Sequence, residues 1–346
     1  MPFFLRMFFF FIVCLNAAAA FAQETPAQIH FLLHDTGGRL DWGPQGLIAF
    51  DKQAGDWAQV WTMKPDGTER KCLTCGAGFP RLHNGNPAWH PSGKYIVFQS
   101  LDDRIKVPGL WGKLYRLYTS PGSGVNNNIW VMTDLGRGRG VLHPHFSHDG
   151  NTLIWAEMTA TKPLPLGSWV IQKAAFLEER GRPMLGKTEA LRPGNLQFYE
   201  THSFSPDDHS ILFTGKAADA AGNNFDIYKY NLATGALQQL TDTADWDEHA
   251  QFSPDGRSIV WMSSRDIRQG PKKGAFINTD YWIMGSDGSG KKRLTRFNDP
   301  AAPEYIKGLV IAADSSWNPE GGEFAAYVQT NPSAEKPGSI VLVTVK

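Results

Sequence analysis

The sequence predicts an all-β fold: a six-bladed β-propeller of four-stranded antiparallel blades, its ring closed by an N-terminal strand. Three observations carry this expectation. A turn motif set between aromatic and apolar residues recurs six times, a second hairpin pattern follows it in most copies, and no segment shows the apolar spacing of an amphipathic helix.

Taken in order, residues 1–22, MPFFLRMFFFFIVCLNAAAAFA, place Arg6 before an apolar run from Met7 to Leu15 and end on Ala-Phe-Ala. That is the pattern of an export signal cleaved near Ala22, and the run is short for a membrane span. Val13 ahead of Cys14 is too large for a lipid-attachment site, so a periplasmic or secreted product is expected. Residues 23–346 are then one propeller domain with no membrane span. Its first strand is QIHFLL, Gln28 to Leu33. The last copy offers only three strands, near Leu309 to Trp317, Glu323 to Gln329 and Ser339 to Val345, so Gln28 to Leu33 is expected to pair there as the missing outer strand.

The six copies are LDWGPQGLIAF, NPAWHPSGKYIVF, HPHFSHDGNTLIW, THSFSPDDHSILF, HAQFSPDGRSIVW and DSSWNPEGGEFAAY. They align on Trp42, Trp89, Phe146, Phe204, Phe252 and Trp317, which are 47, 57, 58, 48 and 65 residues apart. Each holds a short extended run, a Pro/Asp/Gly turn and an alternating apolar run, the sign of two tightly joined antiparallel strands. The second hairpins read VWTMKPDGTERKCLT, IWVMTDLGRGRGVLH, IYKYNLATGALQQLT and YWIMGSDGSGKKRLT. Three copies are lengthened, at Leu101 to Asn128, Glu157 to Lys187 and Ser263 to Asp280, and long loops on a rigid ring are expected to rim a pocket.

Composition narrows the function. Thirty-four basic and 34 acidic residues leave no basic surplus for nucleic acid or for a polybasic membrane anchor. Cys72 and Cys75, in KCLTCG, are expected to form a local disulfide in an oxidising compartment, since no βαβ context supports a redox pair and no further ligands support zinc. GSDGSGKK, Gly285 to Lys292, resembles a phosphate loop but ends in Lys and falls on a repeated hairpin turn. No Gly-x-Ser-x-Gly elbow of a fused peptidase occurs.

Three residues before each aligned aromatic stand Arg39, Asn86, His143, Thr201, His249 and Asp314, all polar. On the innermost strands of a ring they would converge near its axis, joined by neighbours His145, Glu200, His202 and Glu248. Imidazoles with carboxylates can hold a divalent metal, and His143, His202 and His249 are the candidate ligands. They can equally act as general acids and bases, with His143, His202, Glu248 and His249 as candidate catalytic residues. Simple pairing that fixes the strand ends is the third option. Arg39 suits a substrate carboxylate, and Asn86, His145, Glu200 and Asp314 complete the candidate binding surface.

The FSPDG-type turns resemble the PD40 repeats of TolB-type six-bladed propellers, along nearly all of residues 23–346. TolB carries an α/β domain ahead of its propeller, and the few residues between the signal and the first strand here leave no room for one. GNPAWHPSGKYIVFQ and WDEHAQFSPDG are similar to fungal saponin hydrolases, and PD40-like turns with channel histidines resemble the oligogalacturonate lyases. These resemblances imply an anionic carbohydrate or other small-molecule ligand, cleaved by hydrolysis or elimination. The alternative they imply is a noncatalytic scaffold of the TolB kind that docks an envelope protein or peptide.

Overall fold

The computed structural model describes residues 27–345 apart from 35–37, 103–113, 122–128, 134, 136–138, 164–165, 268–276 and 331–337. The expected signal, residues 1–22, lies outside the described residues, as does most of the insert from Leu101 to Asn128.

In chain order the strands are β1 (Gln28–Leu33); β2 (Leu40–Trp42), β3 (Ile48–Ala54), β4 (Trp57–Met63), β5 (Lys71–Cys72); β6 (His83–Trp89), β7 (Tyr95–Asp102), β8 (Leu114–Pro121), β9 (Trp130–Val131); β10 (Gly140–Phe146), β11 (Thr152–Ala160), β12 (Ser168–Glu179), β13 (Arg182–Leu185), β14 (Glu189–Leu191); β15 (Phe198–Phe204), β16 (Ser210–Lys216), β17 (Asp226–Asn231), β18 (Leu237–Gln239); β19 (Asp247–Phe252), β20 (Ser258–Ser263), β21 (Asp280–Gly285), β22 (Lys292–Arg293); and β23 (Val310–Trp317), β24 (Glu323–Thr330), β25 (Ser339–Thr344). They form six antiparallel sheets in a propeller arrangement. β1 pairs with β25, from Gln28 opposite Thr344 to Phe31 opposite Val341, in the sheet of β23 and β24. The sheet of β10 to β14 holds a fifth strand, because β13 and β14 pair with different stretches of β12.

The insert from Glu157 to Lys187 is therefore built as extended hairpin rather than as the pocket-rimming loop expected from its length. Its alternation explains why. Val170, Ala174 and Phe176 are buried while Ala175, Leu177 and Glu179 are exposed, the two-residue period of a strand with one wet face. The hairpin end leans on the preceding sheet, where Phe176 meets Tyr95 edge-on and Glu178 accepts from Lys94 and the Tyr95 hydroxyl.

The repeated turn has a local cause. In three copies a serine backbone N–H (Ser147, Ser205, Ser253) donates back across the hairpin at 2.8–2.9 Å. Its hydroxyl donates to an aspartate two residues on, at 2.5–2.6 Å. Gly150 and Gly256 then take left-handed φ of 74° and 71°. Asp208 stands in the glycine's place with φ 57°, and its carboxylate accepts the backbone N–H groups of His148 and Asp149 from the neighbouring turn.

Six apolar clusters fill the boundaries between consecutive sheets, including one between the last sheet and the first that contains Leu33, Trp42, Phe50, Ala325 and Ile340. The innermost strands β2, β6, β10, β15, β19 and β23 contact one another in that order, and β23 contacts β2. Backbone donors tie them together: Trp89 N–H to Asp41, Phe252 N–H to Ser203 and Trp42 N–H to Ser316. Cys72 and Cys75 are disulfide-bonded at the end of β5, with Cα atoms 5.7 Å apart. No helix among the described residues is long and apolar enough to cross a membrane.

Candidate functional site

The inner strands are bulged where the polar residues stand. Pairing of five of the six inner strands with their neighbours shifts register, between Gly85 and Ala88, Leu142 and His145, Thr201 and Phe204, Glu248 and Gln251, and Ala312 and Ser315, while β2 pairs with β3 without a shift. Asn86, His143, His202, His249 and Asp314 lie inside those gaps. A bulge leaves such residues out of the ladder and re-aims their side chains. Asn86, His143 and His249 also take left-handed φ of 52°, 49° and 56°, a conformation that costs non-glycine residues of order 1 kcal/mol and clusters at functional sites.

The result is a compact polar knot. Glu200 Oε1 lies 2.7 Å from His143 Nε2 and 3.8 Å from His249 Nδ1. Asp314 Oδ1 is 3.4 Å from His249 Nδ1, 3.6 Å from His143 Nδ1 and 3.9 Å from Arg39 Nε. Arg39 Nε is also 2.9 Å from His143 Nε2. Glu248 Oε2 is 3.7 Å from His249 Nε2. The His202 ring packs edge-on against both His143 and His249, with centroids 5.9 and 5.6 Å away. His143, Glu200, His202, Glu248 and His249 are all buried.

Not every expected residue joins the knot. Asn86 is turned to the wall, where its backbone N–H donates to Asp51 and its amide to Gln99 at 3.3 Å. The Thr201 hydroxyl donates to the carbonyl of His143, so it fixes the backbone rather than a ligand. His145 stands one step away, its ring centroid 6.4 Å from that of His143.

Burial sets the charges. It pushes His202 well below its usual range, His249 below it, and His145 down to about 3, so these three rings are neutral. Burial alone would raise Glu200, but the His143 imidazole 2.7 Å away outweighs it and holds that carboxyl below its usual range. Glu248 is driven well above the carboxylate range by burial and by the Glu200 charge.

His143, Glu200, His202 and His249 each offer one ligand atom, and all four atoms lie within 4.8 Å of one another. Donors bound at about 2.2 Å lie about 3.6 Å apart in a tetrahedral set and at most about 4.4 Å apart across an ion, so this set would draw inward to hold one. His202 Nδ1 and His249 Nδ1 are buried without hydrogen-bond partners, which fits a set of nitrogens awaiting a cation. Thr214 Oγ1, 2.6 Å from His202 Nε2, anchors the far side of that ring.

Sequence reasoning missed Thr214 and Asp51. Asp51 is held up at about 6 by burial, against the pull of Arg39. It fits only because Gly38 and Gly85 carry no Cβ, which would meet its carboxylate at 1.3 and 2.5 Å. The available signal was a single polar residue inside each apolar strand, in IAFDK and ILFTGK.

No family model matches the chain, so the name of its repeats rests on the turn residues alone. It is 26% identical over 252 residues to Dipeptidyl-peptidase 5 of Porphyromonas gingivalis, covering 63% of this chain and 35% of that protein. It is 31% identical over 210 residues to an uncharacterized protein of Agrobacterium fabrum, covering 60% of this chain and 57% of the other. The chain thus spans between about a third and little over half the length of these relatives. Among solved structures, putative TolB from Agrobacterium tumefaciens aligns with a TM-score of 0.52 and 19% identity, over 76% of this chain and 74% of that one. Oligogalacturonate lyase in complex with manganese aligns with a TM-score of 0.50 and 11% identity, over 94% of each chain. The fold is that of TolB-like propellers.

Proposed function

We propose that the six sheets are the blades of one closed ring, and that the knot on its axis is the metal-binding active site of an exported enzyme that cleaves an anionic, uronic-acid-containing carbohydrate. One observation carries this reading: four buried donors from three blades, His143, Glu200, His202 and His249, converge within 4.8 Å beside the Arg39 guanidinium. The set of three imidazoles and one carboxylate suits a divalent ion such as Mn²⁺ or Zn²⁺. An oligogalacturonate lyase with manganese shares the fold, which makes that chemistry compatible with the scaffold.

When bound, the ion would polarise an oxygen of the substrate. The chain's own residues do the rest. Arg39, oriented by Asp314 and His143, receives the uronate carboxylate with its planar fork. Glu248, beside His249 Nε2, is the acid-base group that exchanges a proton with the sugar. The dry walls strengthen these charge interactions.

Turnover of uronate oligomers and aryl glucuronides by the purified chain, with and without Mn²⁺, tests the reading. Metal-dependent cleavage is expected, with Glu248→Gln lowering kcat at least about 100-fold. An unsaturated, ultraviolet-absorbing product marks elimination, and a reducing sugar without it marks hydrolysis. A protein-docking scaffold is the second reading, since putative TolB is among the fold neighbours. No turnover of any uronide, with a protein partner retained in Glu248→Gln and His249→Ala, would establish it instead.

A further inference from the structure

Beyond the knot, the channel opens into a second space at the turn side of the ring. The aligned aromatics stand three residues past the knot positions, beyond the bulges and toward the turns. There they surround a cavity of about 430 Å³, within the range of small-ligand pockets. All six repeats contribute their aromatic to its wall, and five contribute the proline two residues on.

The wall is not uniform. Trp317, Trp42 and Trp89 come from the sixth, first and second repeats, so three adjacent tryptophans, each less than a tenth exposed, reach one side of the cavity. Asp41 lies on that side, its carboxylate accepting the Trp89 backbone N–H at 2.7 Å and the Ser316 hydroxyl at 2.9 Å. Both donors are neutral, burial pushes the Asp41 carboxyl above its usual range, and among the described residues no lysine or arginine lines the cavity. On the opposite side stand two histidines of the third repeat, at positions where no other copy has one. His145 is one, and His148, paired with Asp208 at 2.8 Å, is the other. The space therefore offers aromatic residues and a carboxylate fixed by neutral donors, with no lysine or arginine among the described lining residues to oppose a positive guest.

We propose that this cavity binds a quaternary or tertiary ammonium group, held by the indoles of Trp42, Trp89 and Trp317 and by the charge of Asp41. The chemistry is that of an aromatic cage, in which ring quadrupoles and a nearby carboxylate favour a bulky, weakly hydrated cation. The inference goes beyond the channel reading and stands independently of it, because none of these four residues belongs to the polar knot.

Titration calorimetry with choline, and with its neutral isostere 3,3-dimethylbutan-1-ol, tests it on the whole chain. Choline should bind at least about tenfold more tightly than the alcohol, and Asp41→Asn, which keeps an acceptor for Trp89, should erase that preference. Gln251→Trp, a half-buried wall residue enlarged to fill the cavity, gives a second variant should Asp41→Asn not fold, and it should abolish choline binding. Glu200→Gln should leave choline binding unchanged. Equal binding of the two probes, no binding of either, or choline binding lost in Glu200→Gln and kept in Gln251→Trp would overturn the proposal.

Discussion

Thr214→Val tests whether His202 is held as a ligand or merely packed. Thr214 is fully buried, and its hydroxyl is 2.6 Å from His202 Nε2. Valine keeps the shape, so no cavity opens, and only the hydrogen bond is removed. A buried imidazole that loses a partner costs about 1–3 kcal/mol of stability, although Nε2 keeps a 3.2 Å contact with the His249 backbone N–H. A residue that orients a metal ligand shows a further effect: its loss weakens metal affinity by about 10- to 100-fold. Urea denaturation of the chelator-treated protein measures the first effect, and calorimetric titration of Mn²⁺ measures the second. Thr214→Ser, which restores a hydroxyl, should recover most of the affinity. Loss of stability with Mn²⁺ affinity unchanged within about twofold would refute the orienting role.

Two other predictions probe the scaffold. Asp226 is raised to about 6, chiefly by burial with Asp247 and Asp242 adding repulsion, so the folded state binds its proton more tightly than the unfolded chain does. Stability should therefore fall as pH rises from about 4 to 6 and then level off. The full shift would be worth about 3 kcal/mol, but solvent screening of this half-buried group reduces the expectation to about 1 kcal/mol. Asp226→Asn, which still accepts from Thr241, should gain that amount at pH 8 in urea melts and lose the gain toward pH 4; a gain independent of pH would contradict the reasoning. At Asn86, whose φ is 52°, the Gly variant should be about 1 kcal/mol more stable than the Ala variant by the same measurement, and the reverse order would remove the strain argument.

Much of the fold could be read from the turns, because a Pro/Asp/Gly turn between an extended run and an alternating apolar run marks a hairpin and recurs six times. The pairing of Gln28–Leu33 with the last sheet could be read from the missing strand. Counting three residues back from each aromatic found Arg39, His143, His249 and Asp314, which do meet. It could not find the bulges that aim them, since a bulge is a mismatch between two strands and leaves no composition of its own. Asn86 shows the consequence: the same count places it, yet Asp51 and Gln99 hold it in the wall. Thr214 and Asp51 were hidden for another reason. Both sit on second strands, where alternation alone does not say which residues reach the axis.

In the proposed enzyme, His143, Glu200, His202 and His249 close around one divalent ion. Anomalous diffraction from crystals soaked in Mn²⁺ tests this most directly. The expected result is a single strong peak about 2.0–2.3 Å from Glu200 and the three imidazoles, absent in His202→Ala crystals. A saturating soak that leaves the knot empty, or a peak bound elsewhere, would rule out a metal site at the knot.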